Sequence, residues 1–128
     1  MAHVQVRIGE VDYAVDIKAG RHQFVCDEPQ ALGGADSGPA PYDLLLGSLG
    51  ACTAITLRMY AKRKSWPLRG VQVELHLHKD DAGARITRVL TLEGELDGEQ
   101  RERLLAIAEK TPVTLTLKSG TAIETRYV

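Results

Sequence analysis

Eighteen residues from Leu44 to Ala61, LLLGSLGACTAITLRMYA, carry only Ser48, Thr53, Thr56 and Arg58 as clearly polar side chains. The stretch follows GGADSGPAPYD, a run crowded with Gly, Ser, Asp and Pro. That order predicts a loop feeding a long helix, with Pro41 in the first turn and Asp36 or Ser37 as the cap. A helix apolar on nearly every side must be covered on nearly every side. One thiol, Cys52, sits in its middle, either as inert packing or as an active site.

Composition narrows what such a helix can belong to. The chain has 128 residues, expected to form a single domain over 1–128. Its 16 basic and 17 acidic residues leave a net charge of −1, which writes no polyanion-binding or membrane-surface field into it. Asp43 and Arg58 bound the best apolar run, so no bilayer span is expected. MAHVQVRIGE alternates without the apolar core of a signal peptide. Two cysteines in such a chain suit reduced thiols in a cytoplasm better than a disulfide framework.

The flanking sequence alternates in short blocks. His3 to Ile8, Val11 to Ile17 and Gln23 to Cys26 read as a three-strand antiparallel meander. After the helix, Trp66-Pro67 stops propagation. Val71, Val73, Leu75 and Leu77 then alternate with Gln72, Glu74, His76 and His78, a half-buried strand. Asp80 to Gly83 is a turn, and Ile86 to Gly94 returns with Val89, Thr91 and Glu93 on one face. Asp97 caps a second helix, with Gln100 in capping-box position. Leu104, Ile107 and Ala108 form its inward stripe, which Thr111 continues before Pro112 breaks or restarts the helix. Gly120 precedes a last expected strand, Thr121 to Tyr127. The order βββ-α-ββ-α-β is α+β.

Small residues on the long helix suggest how it is covered. Gly47 and Ala51, Ser48 and Cys52, and Gly50 and Ala54 are each four apart and line one side. A helical glycine costs about 1 kcal/mol relative to alanine, so Gly47 and Gly50 imply a close neighbour. Strands of one chain can cover one face. A second copy is the economical cover for the others, giving an intertwined homodimer with Cys52 near the interface; a single-chain core is the alternative.

The block GGADSGPAPYDLLLGSLGACTAITLRMYAKRK resembles the first-cysteine segment of the OsmC/Ohr family of osmotically inducible and organic-hydroperoxide-resistance proteins. KTPVTLTL resembles the second signature of that family, where Cys-Pro-Val-His is usual. The resemblance implies an OsmC-like fold: a swapped homodimer with two long central helices wrapped by antiparallel sheets, and active sites at the subunit interface. It further implies thiol peroxidation, with Cys52 attacking a small apolar hydroperoxide to form a sulfenic acid. No cofactor is expected beyond an external thiol reductant. A non-catalytic dimer that binds a ligand or senses redox state through the same cleft is the alternative, and packing alone is a third reading of Cys52.

The departures from the family pattern are specific. Thr111 stands where the second cysteine belongs and Thr114 where the histidine follows. An external thiol must then resolve the sulfenate, and Thr111→Cys is expected to restore an internal disulfide. Tyr42 occupies the place of the family acid, so Asp43, one position on, is the candidate. Arg21 is preferred to Arg7 for the family arginine because it precedes HQFVCDEP. Cys26 reads as a small buried hydrophobe or a relocated resolving thiol. His76 and His78 with Glu74 lack the further ligand a metal site needs. Arg58, Lys62, Arg63 and Lys64 complement a helix C-terminus and lack the interleaved aromatics of a nucleic-acid site. Gly33, Gly34 and Gly38 lack the context of a phosphate loop and read as a flexible interface loop.

Overall fold

A computed structural model describes residues 2–128. The elements run β1 (Val4–Ile8), β2 (Val15–Ala19), β3 (His22–Cys26), α1 (Pro41–Lys64), β4 (Leu68–Asp80), β5 (Gly83–Gly94), α2 (Gly98–Ala108) and α3 (Pro112–Ser119), with a short 3-10 turn at Gln30–Leu32. They fall into two compact units, one ending at Leu45 and one spanning Leu46–Val128.

In the first unit, β1, β2 and β3 form an antiparallel sheet in which Val6, Ile17 and Phe24 lie side by side. Ile17 and Cys26 are buried, whereas Val4, Val6 and Ile8 are more than half exposed. The loop after β3 is held by a buried carboxylate. Asp27 accepts the N–H groups of Glu28 (2.7 Å), Ala35 (3.3 Å) and Ser37 (3.1 Å) and the Ser37 hydroxyl (2.6 Å). The glycines here answer to close packing: a Cβ on Gly34 would lie 2.0 Å from the Glu28 carbonyl oxygen, and one on Gly38 2.1 Å from that of Val25. The flexible loop expected from its glycines is instead tied down. Ser37 serves this knot and does not cap α1, and Asp36 takes a left-handed φ of 55°. Asp43 performs the capping, accepting the Ala40 N–H at 3.1 Å.

In the second unit, α1 buries one stripe, Leu49, Gly50, Thr53, Leu57 and Ala61. Residues four apart lie on one helix face, and this face meets the β4–β5 ribbon and α2. Leu57, Ala61, Leu68, Leu104 and Ala108 form the core, with Tyr60, Trp66, Val71, Leu90, Leu92, Leu96 and Ile107 packed around it. The ribbon pairs Leu68–Asp80 with Gly83–Gly94. Val71, Val73, Leu75 and Leu77 are half-buried and their alternates exposed, as the alternation predicted. Asp97 and Gln100 form the expected capping box, each side chain accepting the other's backbone N–H at 2.8–2.9 Å. Ser65, with φ 57°, turns the chain out of α1 ahead of Pro67.

Two expectations change. Residues 121–128 form no strand, because a strand needs a ladder partner and neither sheet pairs with this segment; Ile123, Tyr127 and Val128 are exposed. The apolar run also passes beyond Asp43 and Arg58: α1 is 24 residues and, by length and composition alone, could cross a bilayer.

Gly38→Ala and Gly34→Ala force backbone to move and are expected to lower unfolding free energy by about 1–3 kcal/mol or more. Gly98→Ala, with nothing within 4 Å of its new Cβ, is expected to raise it by about 0.4–1 kcal/mol. Urea unfolding of the three variants checks the contrast.

Candidate functional site

Cys52 lies halfway along α1 and is partly exposed. Its Sγ is 4.0 Å from the Thr56 hydroxyl one turn on. Helical rotation of about 100° per residue sets Cys52 beside a second stripe, Gly47, Ala51, Ile55 and Met59, which its own chain leaves exposed. Ile55 and Met59 are 54% and 55% exposed, unusual for side chains this apolar at the centre of a long helix. The two helix glycines therefore differ. Gly50 belongs to the buried stripe, its missing Cβ answering to Leu75 Cδ1 at 2.9 Å, while Gly47 has open space around it. The close neighbour expected at Gly50 is therefore supplied within the chain.

The face next to Cys52 ends in a buried polar cluster. Arg88, on β5, shares the inward phase with Ile86, Leu90 and Leu92. Its Nη1 donates to the Thr53 hydroxyl at 3.0 Å and to the Thr114 hydroxyl at 2.9 Å. Its Nη2 donates to the Ala108 carbonyl at 2.9 Å and lies 3.6 Å from a Glu109 carboxylate oxygen. The Thr111 and Thr114 hydroxyls are 2.6 Å apart, and the Thr53 hydroxyl donates to the Leu49 carbonyl at 2.7 Å. Thr53 and Thr111 are wholly buried and Thr114 nearly so. Among the described residues no buried side-chain nitrogen or oxygen lacks a partner. Thr111 also caps α3, ahead of Pro112 in the first turn, so Pro112 restarts the helix.

The remaining sequence candidates sit within their own units. Asp43 caps α1 two and a half turns before Cys52. Arg21 lies exposed in the β2–β3 turn, and Arg7 is exposed on β1. Cys26 is buried, and burial, then the nearby carboxylates of Glu28, Asp27 and Asp43, push its thiol up; a thiol held protonated is a poor nucleophile. His76 and His78 point outward with ring centres 6.2 Å apart, and among the described residues no group of three metal-ligating side chains forms. Arg88 and Asp27 were missed in the sequence. An arginine in phase with Ile86, Leu90 and Leu92 was the available signal for the first.

A half-buried thiol on α1 and the Thr111 cap of α3 lie in one unit, and comparison shows the family to which the chain belongs. The family of OsmC-like proteins matches residues 34–126. The chain belongs to that family. Similar solved structures include an OsmC-like protein from Mycoplasma pneumoniae, 17% identical over 92% of this chain and 87% of that one with TM-score 0.80. The organic hydroperoxide resistance protein OsmC of Legionella pneumophila is 19% identical over 92% and 89%, with TM-score 0.67. OhrB of Bacillus subtilis is 26% identical over 91% and 90%, with TM-score 0.63. Comparison with curated proteins gives no significant sequence match. The OsmC-like α+β fold expected from the sequence is thus the fold of the chain.

Hydrogen bonds from Ser37 first, then from the Ser37, Glu28 and Ala35 amides, hold the Asp27 carboxyl below its usual value. Lys118, with Arg88 behind it, does the same for Glu109. A carboxyl lowered in the folded state stabilises fully above its unfolded pKa, and that contribution is lost as pH falls through the lowered value. Melting temperature is therefore expected to drop steeply below about pH 4, and Asp27→Asn to flatten that limb relative to wild type. Scanning calorimetry between pH 2 and 6 reads the difference.

Proposed function

We propose that this OsmC-like chain acts in defence against oxidants as a thiol-dependent hydroperoxide reductase, with Cys52 as the attacking sulfur. The observation that carries this reading is the placement of Cys52: the family's first-cysteine motif sets it half-buried at the edge of an apolar stripe of α1. An apolar rim of Ile55 and Met59 favours a small apolar hydroperoxide over a polar one. Two of the similar structures, from Legionella pneumophila and Bacillus subtilis, are organic hydroperoxide resistance proteins, which supports the same class of chemistry. The Cys52 thiolate attacks the terminal peroxide oxygen, an alcohol leaves, and Cys52 becomes a sulfenic acid. The chain works as a homodimer in which a second copy covers the Gly47, Ala51, Ile55 and Met59 stripe. That cover answers why a helix apolar enough for a bilayer carries so much exposed apolar surface in one chain. The protein is placed in the cytoplasm, where thiol reductants are plentiful.

Thr111 favours a second reading, a dimer that senses oxidant through Cys52 without turnover, because a hydroxyl cannot close a disulfide. Stopped-flow consumption of cumene hydroperoxide with excess glutathione separates the two. Multiple turnovers, lost at least 100-fold in Cys52→Ser, support the reductase; a single equivalent consumed supports the sensor; no difference between wild type and Cys52→Ser overturns both.

Light scattering is expected to give twice the 14.0 kDa chain mass, and Ile55→Glu to halve it, since a charge on a buried apolar interface is uncompensated. A wild-type monomer at micromolar concentration refutes the dimer.

A further inference from the structure

Arg88 is an inward-facing cation whose ion pair with Glu109, at 3.6 Å, is shared with Lys118, and Glu109 is itself more than half exposed. Its hydrogen bonds go to one hydroxyl from α1, one from α3 and the carbonyl of Ala108 at the end of α2. Nη1 touches both hydroxyls at once, so the guanidinium fills the gap between the helix that bears Cys52 and the segment that bears Thr111. Thr111 is fastened to the same group through Thr114. Thr114 also lies 3.3 Å from the Ala108 carbonyl, and Pro112 stiffens the backbone between the two threonines. A planar group with several donors suits this bridging in a way an ammonium cannot match.

We propose that Arg88 is a positioning residue that keeps Cys52 a one-thiol centre: its bridge between Thr53 and Thr114 holds the Thr111 segment in place. The second sulfur in turnover then comes from a low-mass external monothiol. This rests on the reductase reading above and specifies its reductant class. A sulfenic acid on Cys52 reacts with the monothiol to give a mixed disulfide and water, and a second monothiol attacks that mixed disulfide, releasing Cys52 as thiol and leaving the two monothiols joined as their disulfide. Thr111→Cys by itself is then insufficient to restore an internal bridge, because the guanidinium still occupies the gap and pins the neighbouring residue. This revises the expectation drawn from sequence, in which a cysteine at 111 was enough.

The test uses diamide, which joins two thiols without any peroxide, so that a failure of the reductase reading leaves this measurement intact. Thr111→Cys is compared with Thr111→Cys/Arg88→Met and Thr111→Cys/Arg88→Lys, and disulfides are mapped by peptide mass. The expected result is slow closure between Cys52 and the introduced thiol in the single variant, and at least tenfold faster closure in both double variants. Arg88→Lys keeps the charge and guards against misfolding of Arg88→Met, with far-ultraviolet circular dichroism as the check. Closure in the single variant as fast as in a folded double variant overturns the proposal. If neither double variant folds, the single variant decides: rapid closure overturns it, and a mixed disulfide with added glutathione in place of closure supports it.

Discussion

One constraint organises this molecule: α1 is apolar on more of its circumference than its own chain covers. Its inward stripe is a conventional contact, with Leu57 and Ala61 packed among Leu68, Leu104 and Ala108. Burying a leucine of that kind contributes about 1.5–3 kcal/mol, and several such residues anchor the helix to the ribbon and α2. The opposite stripe keeps Ile55 and Met59 at the surface. Exposed area of that kind has the same hydrophobic drive with nothing yet to satisfy it, and the proposed second copy supplies the contact. Cys52 stands at the boundary between the two stripes, where a thiol can meet a small molecule while its flanks remain apolar.

Buried Asp27 and half-buried Arg88 follow a common rule. A charge removed from water is tolerated when its hydrogen-bonding capacity is filled. Asp27 fills it with three backbone N–H groups and a serine hydroxyl, and the result is a rigid loop leading into α1. Arg88 fills it with hydroxyls and a helix-terminal carbonyl. Removal of either side chain, or of its partners, leaves donors or acceptors orphaned, which is costlier than the bond itself is favourable. Both groups therefore fix local geometry beyond their net stabilisation.

Features with a local cause were legible in the sequence. The capping box at Asp97 and Gln100 is a four-residue pattern. The outward phase of Gln72, Glu74, His76 and His78 follows from strand periodicity, and Pro41 and Pro67 punctuate α1 by steric rules that need no tertiary context. The α+β order was readable for the same reason. Features whose cause is a distant partner were not. Gly50 and Gly47 look alike in sequence, and only the Leu75 side chain distinguishes them. Asp36 and Ser37 are cap-type residues lying ahead of Pro41, yet Asp27 recruits Ser37 from ten residues away and Asp43 takes the capping role. Thr121 to Tyr127 alternates like a strand and finds no ladder partner in its own chain. At the candidate site, Cys52 and Thr111 stood out through the family motif, whereas Arg88 was hidden in a strand whose alternation reads as ordinary.

The Arg88 bridge also bears on how the second unit opens. Its acceptors lie 35 residues before it, at Thr53, and 20 and 26 residues after it, at Ala108 and Thr114. Withdrawal of any one element strips hydrogen bonds from a cation still shielded from water, so the others lose part of their reason to stay. Elements joined in this way open together rather than fray singly. The short α3, only eight residues long and too short to be stable as an isolated helix, thereby shares in the protection of the long helix and the ribbon.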